Sequence, residues 1–196
     1  MKIIFEKINQ PYKKLKSENL LIRKYYSESS DWNKEKFASI KENIKDHLRK
    51  EQSNQCCYCR SMLGFDIRQT EIEHIIPKSK EKNFAFISKN LALCCPGCNS
   101  SKSIKDVLII KNRAFFNLKS TDYKIVHPYF DKYSEHIQIE GSVIYTSKTP
   151  KGLETIRMCE LSRLTLAEEN AKKFYSGQSK IKSIIFHLIN TLERNL

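Results

Sequence analysis

One early segment of the chain shows a helical pattern of apolar residues. Within residues 32–51, apolar positions recur at steps of three and four, and lysines and glutamates fill the opposite face. The apolar positions are Phe37, Ile40, Ile44 and Leu48. This spacing predicts an amphipathic helix whose apolar stripe faces the core. Asp31 precedes the segment and is a candidate N-cap, because its carboxylate can accept hydrogen bonds from the first backbone amides of a helix.

The middle of the chain carries a different pattern, with short extended runs and turn residues. Two extended runs lie at 61–65 and 69–76, and a polar turn separates them. Pro77 ends the second run, since proline lacks the backbone amide that strand pairing uses. A polar loop leads to Asn90, and Pro96 stands where a first helical residue is favoured. The predicted order is therefore strand, strand, loop, helix.

The flanking regions are predicted to be mostly helical. Residues 10–26 contain a short helix, and residues 161–175 and 179–194 have apolar positions at helical spacing. Residues 136–145 are predicted to form a hairpin that turns at Glu140-Gly141. Together these patterns predict an α+β fold, in which a small mixed core carries flanking helices and one hairpin.

The residues that could bind metal or take part in catalysis are concentrated in the central part of the chain. We therefore divide the chain into an N-terminal helical segment at 1–54, a core at 55–105 and a C-terminal hairpin and helical region at 106–196. No segment rich in Gly and Pro marks the second boundary, which we expect near 105–120.

Composition and charge narrow the class of protein. Lys and Arg total 35 against 22 Asp and Glu, which gives a net charge of +13 over 196 residues. This excess favours a polyanionic partner such as nucleic acid, although a merely soluble lysine-rich protein has the same balance. The apolar stretch at 3–5 is too short for a signal peptide, and no run is long enough to span a bilayer. We therefore expect a cytoplasmic protein with reduced thiols.

Seven cysteines in a reducing compartment favour metal binding over disulfides. Two C-x-x-C pairs stand out, each able to wrap one side of a tetrahedral Zn²⁺ in a tight turn. The pairs consist of Cys56 and Cys59, and of Cys95 and Cys98. We predict that these four residues bind one structural zinc, because four cysteine ligands leave no open position for water. Cys57 and Cys94 are predicted not to be ligands.

Between the cysteine pairs lies a motif that resembles the HNH endonucleases, a family built on the ββα-metal fold. The stretch 71–79 reads Glu-Ile-Glu-His-Ile-Ile-Pro-Lys-Ser, and it is followed by Asn90-Leu91 and by Asn99. The family pattern has an acidic residue and a His before an apolar run and Pro, then Asn-Leu, then a final His or Asn. Residues 56–102 carry every element in order, which implies a ββα-metal HNH core.

The resemblance and the residue chemistry assign the same roles. A histidine is the natural base to take a proton from water in phosphodiester hydrolysis, and His74 is that candidate. Glu73 and Asn99 are predicted to hold a catalytic Mg²⁺ or Mn²⁺, since oxygen ligands favour these ions. By the resemblance, Asn90 holds the loop and orients the base. Lys102, three residues after Asn99, is predicted to meet a phosphate.

Two points stay open at this level. Glu71 and Glu73 share one face of a regular strand, whereas His74 points to the other, so either carboxylate can be the main metal ligand. Lys78 and Lys80 flank the motif and suit a nucleic-acid backbone, or they simply line a solvated loop.

The flanks resemble, more weakly, a subgroup of small bacterial HNH proteins. This subgroup includes nuclease subunits of anti-phage systems of the Septu or retron-associated kind, which work beside an ATPase. The resemblance implies a nuclease with an ATPase partner subunit. We expect DNA as its substrate, although nothing in the sequence separates DNA from RNA. The main alternative is a non-catalytic zinc module that binds nucleic acid, which explains the charge and the cysteines but not the HNH motif. A second alternative is a restriction or mobile-element nuclease.

Overall fold

The computed structural model describes most of the chain. The described residues are 5–66, 69–109, 115–116, 119–141, 143–167 and 169. Of the two helices expected near the C-terminus, residues 162–167 of the first are helical. The rest of the first helix, apart from residue 169, and all of the second lie outside the described residues.

The predicted ββα core is present. Strands β1 (Glu71–His74) and β2 (Leu91–Cys94) pair antiparallel, and helix α3 (Pro96–Lys102) follows β2 directly. Pro96 starts α3, and the Cys95 sulfur caps it by accepting from the Cys98 amide. The register aligns His74 with Leu91, so the end of β1 lies beside the start of β2.

The long amphipathic helix is confirmed, although it starts later than predicted. Helix α2 spans Ala38–Glu51 and buries its apolar stripe, and two short 3-10 turns occupy the residues before it. Asp31 is therefore not its N-cap. Its carboxylate instead accepts from the backbone amides of Ser27 and Glu28 and fixes the first 3-10 turn. Apolar spacing alone does not separate 3-10 turns from the α-helix that continues them.

The prediction of a strand at 61–65 is wrong. Arg60 has a positive φ of 61°, which reverses the chain inside the first cysteine turn. The residues after the turn then fold back on those before it, through one isolated bridge between Gln55 and Met62. The partner of β1 is the run 91–94, which comes after the loop. The observed order is therefore strand, loop, strand, helix.

The remaining elements surround this core. Helix α1 (Lys16–Tyr25) confirms the short helix expected within 10–26. The predicted hairpin is also present, as β3 (Ile137–Glu140) paired antiparallel with β4 (Ile144–Ser147). Two further helices flank the hairpin, α4 (Tyr133–His136) before it and α5 (Pro150–Met158) after it. No helix within the described residues combines the length and apolar character needed to cross a membrane.

One buried cluster joins the three predicted segments. It includes Phe5 and Leu48 from the first, Leu93 from the second, and Tyr129 and Leu161 from the third. The division at 1–54, 55–105 and 106–196 stays a prediction for function. The shared apolar core links the stability of all three segments.

Candidate active site and metal centre

A cleft opens where β1 ends and α3 begins, and α2 forms its opposite wall. Its lining includes most of the residues that the motif analysis singled out, together with lysines from α2. The lining residues on which the site depends are Trp32, Lys41, Lys45, Glu71, Glu73, His74, Lys78 and Asn99. The fold therefore brings the predicted base and the predicted oxygen ligands into one concave surface.

His74 lies at the end of β1 with its ring almost fully buried, at 8% exposure. Its Nε2 atom is 3.2 Å from the carbonyl oxygen of Ala85. A carbonyl oxygen can only accept, so Nε2 carries the proton and donates. Nδ1 is then the unprotonated nitrogen. Burial, together with the positive charge of Lys78, lowers the pKa of His74 to about 3, so the ring is neutral at pH 7 and its unprotonated nitrogen is a weaker base than that of a free imidazole.

Asn90 connects the end of β1 to the loop that follows it. Its side-chain oxygen accepts from the Ile76 amide at 2.8 Å, and its side-chain nitrogen donates to the carbonyls of Ile76 and Phe84. The side chain is completely buried. These bonds hold the loop carrying Ala85 against the segment carrying His74, which is the arrangement that the resemblance implies for this asparagine. Its influence on a reaction stays a prediction.

Two candidate oxygen ligands for a metal ion, Glu71 and Asn99, contact each other in the cleft. The side-chain nitrogen of Asn99, in the first turn of α3, donates to Glu71 Oε2 at 2.5 Å. Both side chains are partly exposed. The contact uses the amide nitrogen and leaves the amide oxygen as a possible cation ligand. A carboxylate beside an amide oxygen is a donor set that suits a hard divalent cation.

Glu73 is in a different situation from Glu71. Its Oε1 atom lies 2.5 Å from the Lys102 ammonium and accepts from the Tyr58 hydroxyl at 2.9 Å. Glu73 and Lys102 are both buried, with side-chain exposures of 2% and 1%. Burial raises the pKa of Glu73, while the nearby Lys102 charge opposes that rise. Lys102 also donates to the His74 carbonyl at 3.1 Å, so this ion pair stabilises the end of β1, which carries His74.

The lysines predicted to meet phosphate are placed unequally. Lys78 is partly exposed and lines the cleft, whereas Lys80 is exposed outside the lining. Lys102 is inside the protein and bonded to Glu73, so its charge does not reach the surface where a phosphate would bind. Lys41 and Lys45 of α2 line the cleft instead. Sequence reasoning missed them because charged positions on an amphipathic helix usually form a solvated face.

The four predicted cysteine ligands form one cluster. Their sulfur atoms all lie within 4.8 Å of one another, and those of Cys59 and Cys95 are 3.8 Å apart. A tetrahedral zinc with Zn–S bonds of about 2.3 Å places its sulfur ligands about 3.8 Å apart. The thiol set, its spacing and its burial therefore fit a structural zinc.

The other two cysteines of these turns behave as buried thiols. Burial raises the pKa of Cys57 to about 12 and that of Cys94 well above its usual range. Neither belongs to the sulfur cluster. The prediction that they are not ligands agrees with this geometry.

An arginine from the C-terminal region completes the surroundings of the cluster. Arg163 donates to the Cys98 sulfur at 3.2 Å. Its guanidinium also covers Gly97, where an added Cβ would lie 2.9 Å from Arg163. Gly97 therefore leaves room for the arginine to approach the thiol. No local sequence signal reveals this contact, because the two residues are 65 positions apart.

A comparison with protein families finds a match over the central segment of the chain. A sequence model described as HNH endonuclease matches residues 56–105, from the first cysteine turn to just beyond α3. Over this segment the chain is similar to the HNH endonucleases. The prediction from the 56–102 motif is confirmed.

The comparison with individual proteins agrees. The chain is 27% identical over 157 residues to the "Septu protein PtuB" of Bacillus thuringiensis, covering 80% of this chain and 53% of that protein. It is also 27% identical to the "Retron Vc95 putative HNH endonuclease" of Vibrio cholerae serotype O1 biovar El Tor, covering 55% of this chain and 62% of that protein. The chain thus spans between about half and three fifths of the length of these curated relatives. No solved structure matches.

Proposed function

We propose that this protein is a divalent-metal-dependent endonuclease that cuts DNA as the effector of a bacterial anti-phage defence system, beside an ATPase partner subunit. The observation that carries the nuclease mechanism is the cleft in which neutral His74 and the Glu71–Asn99 pair lie together. The names of the two relatives support the defence role. The ATPase partner rests on the resemblance to Septu- and retron-associated nucleases, and the net charge of +13 supports a nucleic-acid substrate.

His74 acts as the general base in this proposal. Its Nε2 proton is held by the Ala85 carbonyl, so Nδ1 accepts the proton of the attacking water. Asn90 keeps the loop with Ala85 in place, and the buried pair of Glu73 and Lys102 braces the strand beneath the ring. Lys78 and the lysines of α2 attract and orient the phosphate backbone.

Mg²⁺ or Mn²⁺, when bound, supplies positive charge to the phosphate and to the departing oxygen. We assign the direct ligands to Glu71 and Asn99, because both side chains are partly exposed and touch each other. Glu73 was the first candidate from the sequence, but one of its oxygens already binds Lys102 and Tyr58. We therefore assign it no direct contact with the ion, and its buried carboxylate adds negative charge near the metal site. In the same proposal, Zn²⁺ occupies the four-cysteine cluster and holds the two cysteine turns together.

The base assignment is tested by cleavage of plasmid DNA, linear DNA and RNA with and without Mg²⁺, comparing the parent with His74→Ala. We expect the substitution to slow cleavage by about 10²–10⁴-fold, which is the usual contribution of a positioned base. His47→Ala is the matched control, because His47 lies on α2 outside the cleft lining. Equal rates for the parent and His74→Ala would show that the base is another residue. If no divalent ion supports cleavage of any nucleic acid, even with the partner present, a non-catalytic zinc module becomes the better explanation.

The metal assignment is tested by Glu71→Gln and Glu73→Gln, with the Mg²⁺ dependence of the rate as the measurement. Loss of a direct ligand weakens metal binding, so we expect Glu71→Gln to need much more Mg²⁺ and to be partly rescued by excess ion. Glu73→Gln should instead lower the stability of the fold, because it leaves the Lys102 charge buried without its partner. The opposite result, with rescue by Mg²⁺ only for Glu73→Gln, would make Glu73 the principal ligand.

A further inference from the structure

The His74 ring packs against Trp32, a residue well outside the stretch 56–105 that matches the HNH family model. The two ring centroids are 4.4 Å apart and the planes meet at 78°, so one ring points its edge at the other. Trp32 is 7% exposed and His74 is 8% exposed, and both line the cleft. The base is therefore in contact with an indole that neither the motif nor the family match includes.

Trp32 also contacts the loop that carries Ala85, whose carbonyl accepts the hydrogen bond from His74. Its ring lies 4.7 Å from Phe86, which directly follows Ala85 in the chain. The Ala85 carbonyl accepts from His74 Nε2. One indole thus packs against the imidazole and against the loop that fixes its tautomer.

The segment carrying Trp32 is itself fixed by its own hydrogen bonds. The Asp31 carboxylate accepts from the amides of Ser27 and Glu28 and forms an ion pair with Lys34. Trp32 follows in the same 3-10 turn, so its backbone has little freedom. This explains a local sequence feature that looked like a helix cap: Asp31 shapes the turn that presents the indole to the cleft.

From these contacts we propose that Trp32 is a positioning residue that holds the His74 ring in the orientation needed for proton transfer. The proposal rests on the function proposed above, in which His74 is the base. An edge-to-face aromatic contact fixes the angle of a ring more tightly than a branched aliphatic contact, because the ring quadrupole favours particular geometries. A base displaced by about 1 Å can lose about 10²-fold in rate, so a residue that only orients the ring has a measurable effect on turnover.

The test compares Trp32→Leu with Trp32→Phe in DNA cleavage at saturating Mg²⁺. Leucine fills part of the space without a ring, and we expect kcat to fall by about 10–100-fold while KM for DNA stays unchanged. Phenylalanine restores a ring and should recover most of the lost rate. Phe37→Leu is the matched control, since Phe37 packs on Phe86 in the same aromatic cluster and is absent from the cleft lining. It should keep the parental kcat.

A double-substitution cycle separates positioning from general damage to the fold. If Trp32 acts through the base, Trp32→Leu has no further effect on the residual rate of His74→Ala. An equal drop in that background, or a parental kcat for Trp32→Leu, would overturn the proposal.

A spectroscopic measurement keeps the proposal separate from the nuclease assignment. The ¹⁵N shifts of the His74 ring, recorded without added Mg²⁺, report its tautomer. We expect a single Nε2-protonated form in the parent and a mixture of tautomers in Trp32→Leu. Identical ring spectra in the two proteins would overturn the positioning role. If the parent cleaves no substrate, the nuclease assignment fails and this measurement alone decides the role of Trp32.

Discussion

At the scale of single residues, Lys102 shows how burial changes the meaning of a motif position. Three positions after Asn99 on a helix, a lysine is well placed to reach a phosphate, and the sequence supports that interpretation. In the folded protein its side chain is 1% exposed and its ammonium is 2.5 Å from Glu73. Taking an ammonium ion out of water is costly unless a carboxylate compensates it. Lys102 and Glu73 therefore stabilise each other beneath the strand that carries His74.

This pairing predicts the effect of Lys102→Met on stability. Removing one member of a buried ion pair leaves the other charge uncompensated, so we expect a loss of roughly 3–5 kcal/mol in the free energy of unfolding. Urea denaturation measures this loss. Adding Glu73→Gln to Lys102→Met should recover part of it, because no buried charge then remains.

The exposed Lys80 provides the matched control for that experiment. Lys80→Met should change the free energy of unfolding by less than about 0.5 kcal/mol, as surface substitutions usually do. If Lys102→Met is as stable as the parent and instead weakens DNA binding, Lys102 reaches phosphate after all and the buried pair has no structural importance.

At the scale of elements, the sequence predicts best where one local rule decides the structure. The periodicity in 32–51 identifies α2, apart from its later start at Ala38, and Pro96 marks the start of α3. The hairpin β3–β4 follows from a short turn between alternating runs. In each case the pattern and its structural cause lie within the same few residues.

Prediction fails where partners are far apart in the chain. The strand β2 has all four residues buried and shows no alternation, so nothing local identifies it as the partner of β1. The run 61–65 alternates like a strand, yet the cysteine turn directs it back on residues 54–56 instead. The active site has the same limitation, because the motif identifies His74 while the contact with Trp32 depends on tertiary packing.

The cysteine cluster is the element whose stability depends on a distant residue. Four thiolates around one Zn²⁺ carry a net charge of −2, and the Arg163 guanidinium donates to one of them. We predict that Arg163→Met releases zinc to a chelator roughly 10–100-fold faster, since a charge-assisted hydrogen bond contributes about 1.5–3 kcal/mol. A colorimetric zinc indicator follows the release.

Arg157→Met is the control for the zinc experiment, because Arg157 lies on the exposed face of α5 and pairs with Glu154. It should release zinc at the parental rate. The parent itself should contain about one equivalent of zinc. A fully folded parent without zinc contradicts the structural role of the cluster, and equal release from Arg163→Met contradicts the contribution of the arginine.

At the scale of the whole molecule, the C-terminal region contributes hydrogen bonds that stabilise the core. Three tyrosine hydroxyls from this region bond to backbone carbonyls within residues 56–105, the segment that matches the HNH family model. Tyr129 contacts the carbonyls of Ser88 and Leu91, on either side of Asn90. Tyr133 and Tyr145 contact those of Tyr58 and Cys59 in the first cysteine turn. The loop next to His74 and the first cysteine turn are thus both held by residues from outside 55–105.

These contacts set the outcome of shortening the chain. Ending it near residue 120 removes all three tyrosines and Arg163, so we expect a protein that fails to fold cooperatively and does not retain zinc. Ending it after residue 167 keeps every one of these contacts, so metal-dependent cleavage and the thermal unfolding midpoint should stay close to those of the full chain. The segment thereby removed includes 179–194, whose amphipathic pattern suits docking, and binding to an ATPase subunit should be lost or weakened.

Circular dichroism, zinc content, cleavage and co-purification with that subunit measure the four properties separately. A chain ending at 120 that folds, binds zinc and cleaves DNA at the full rate shows that the tyrosine contacts are dispensable. Unchanged partner binding after removal of 168–196 would place the docking surface within residues 1–167.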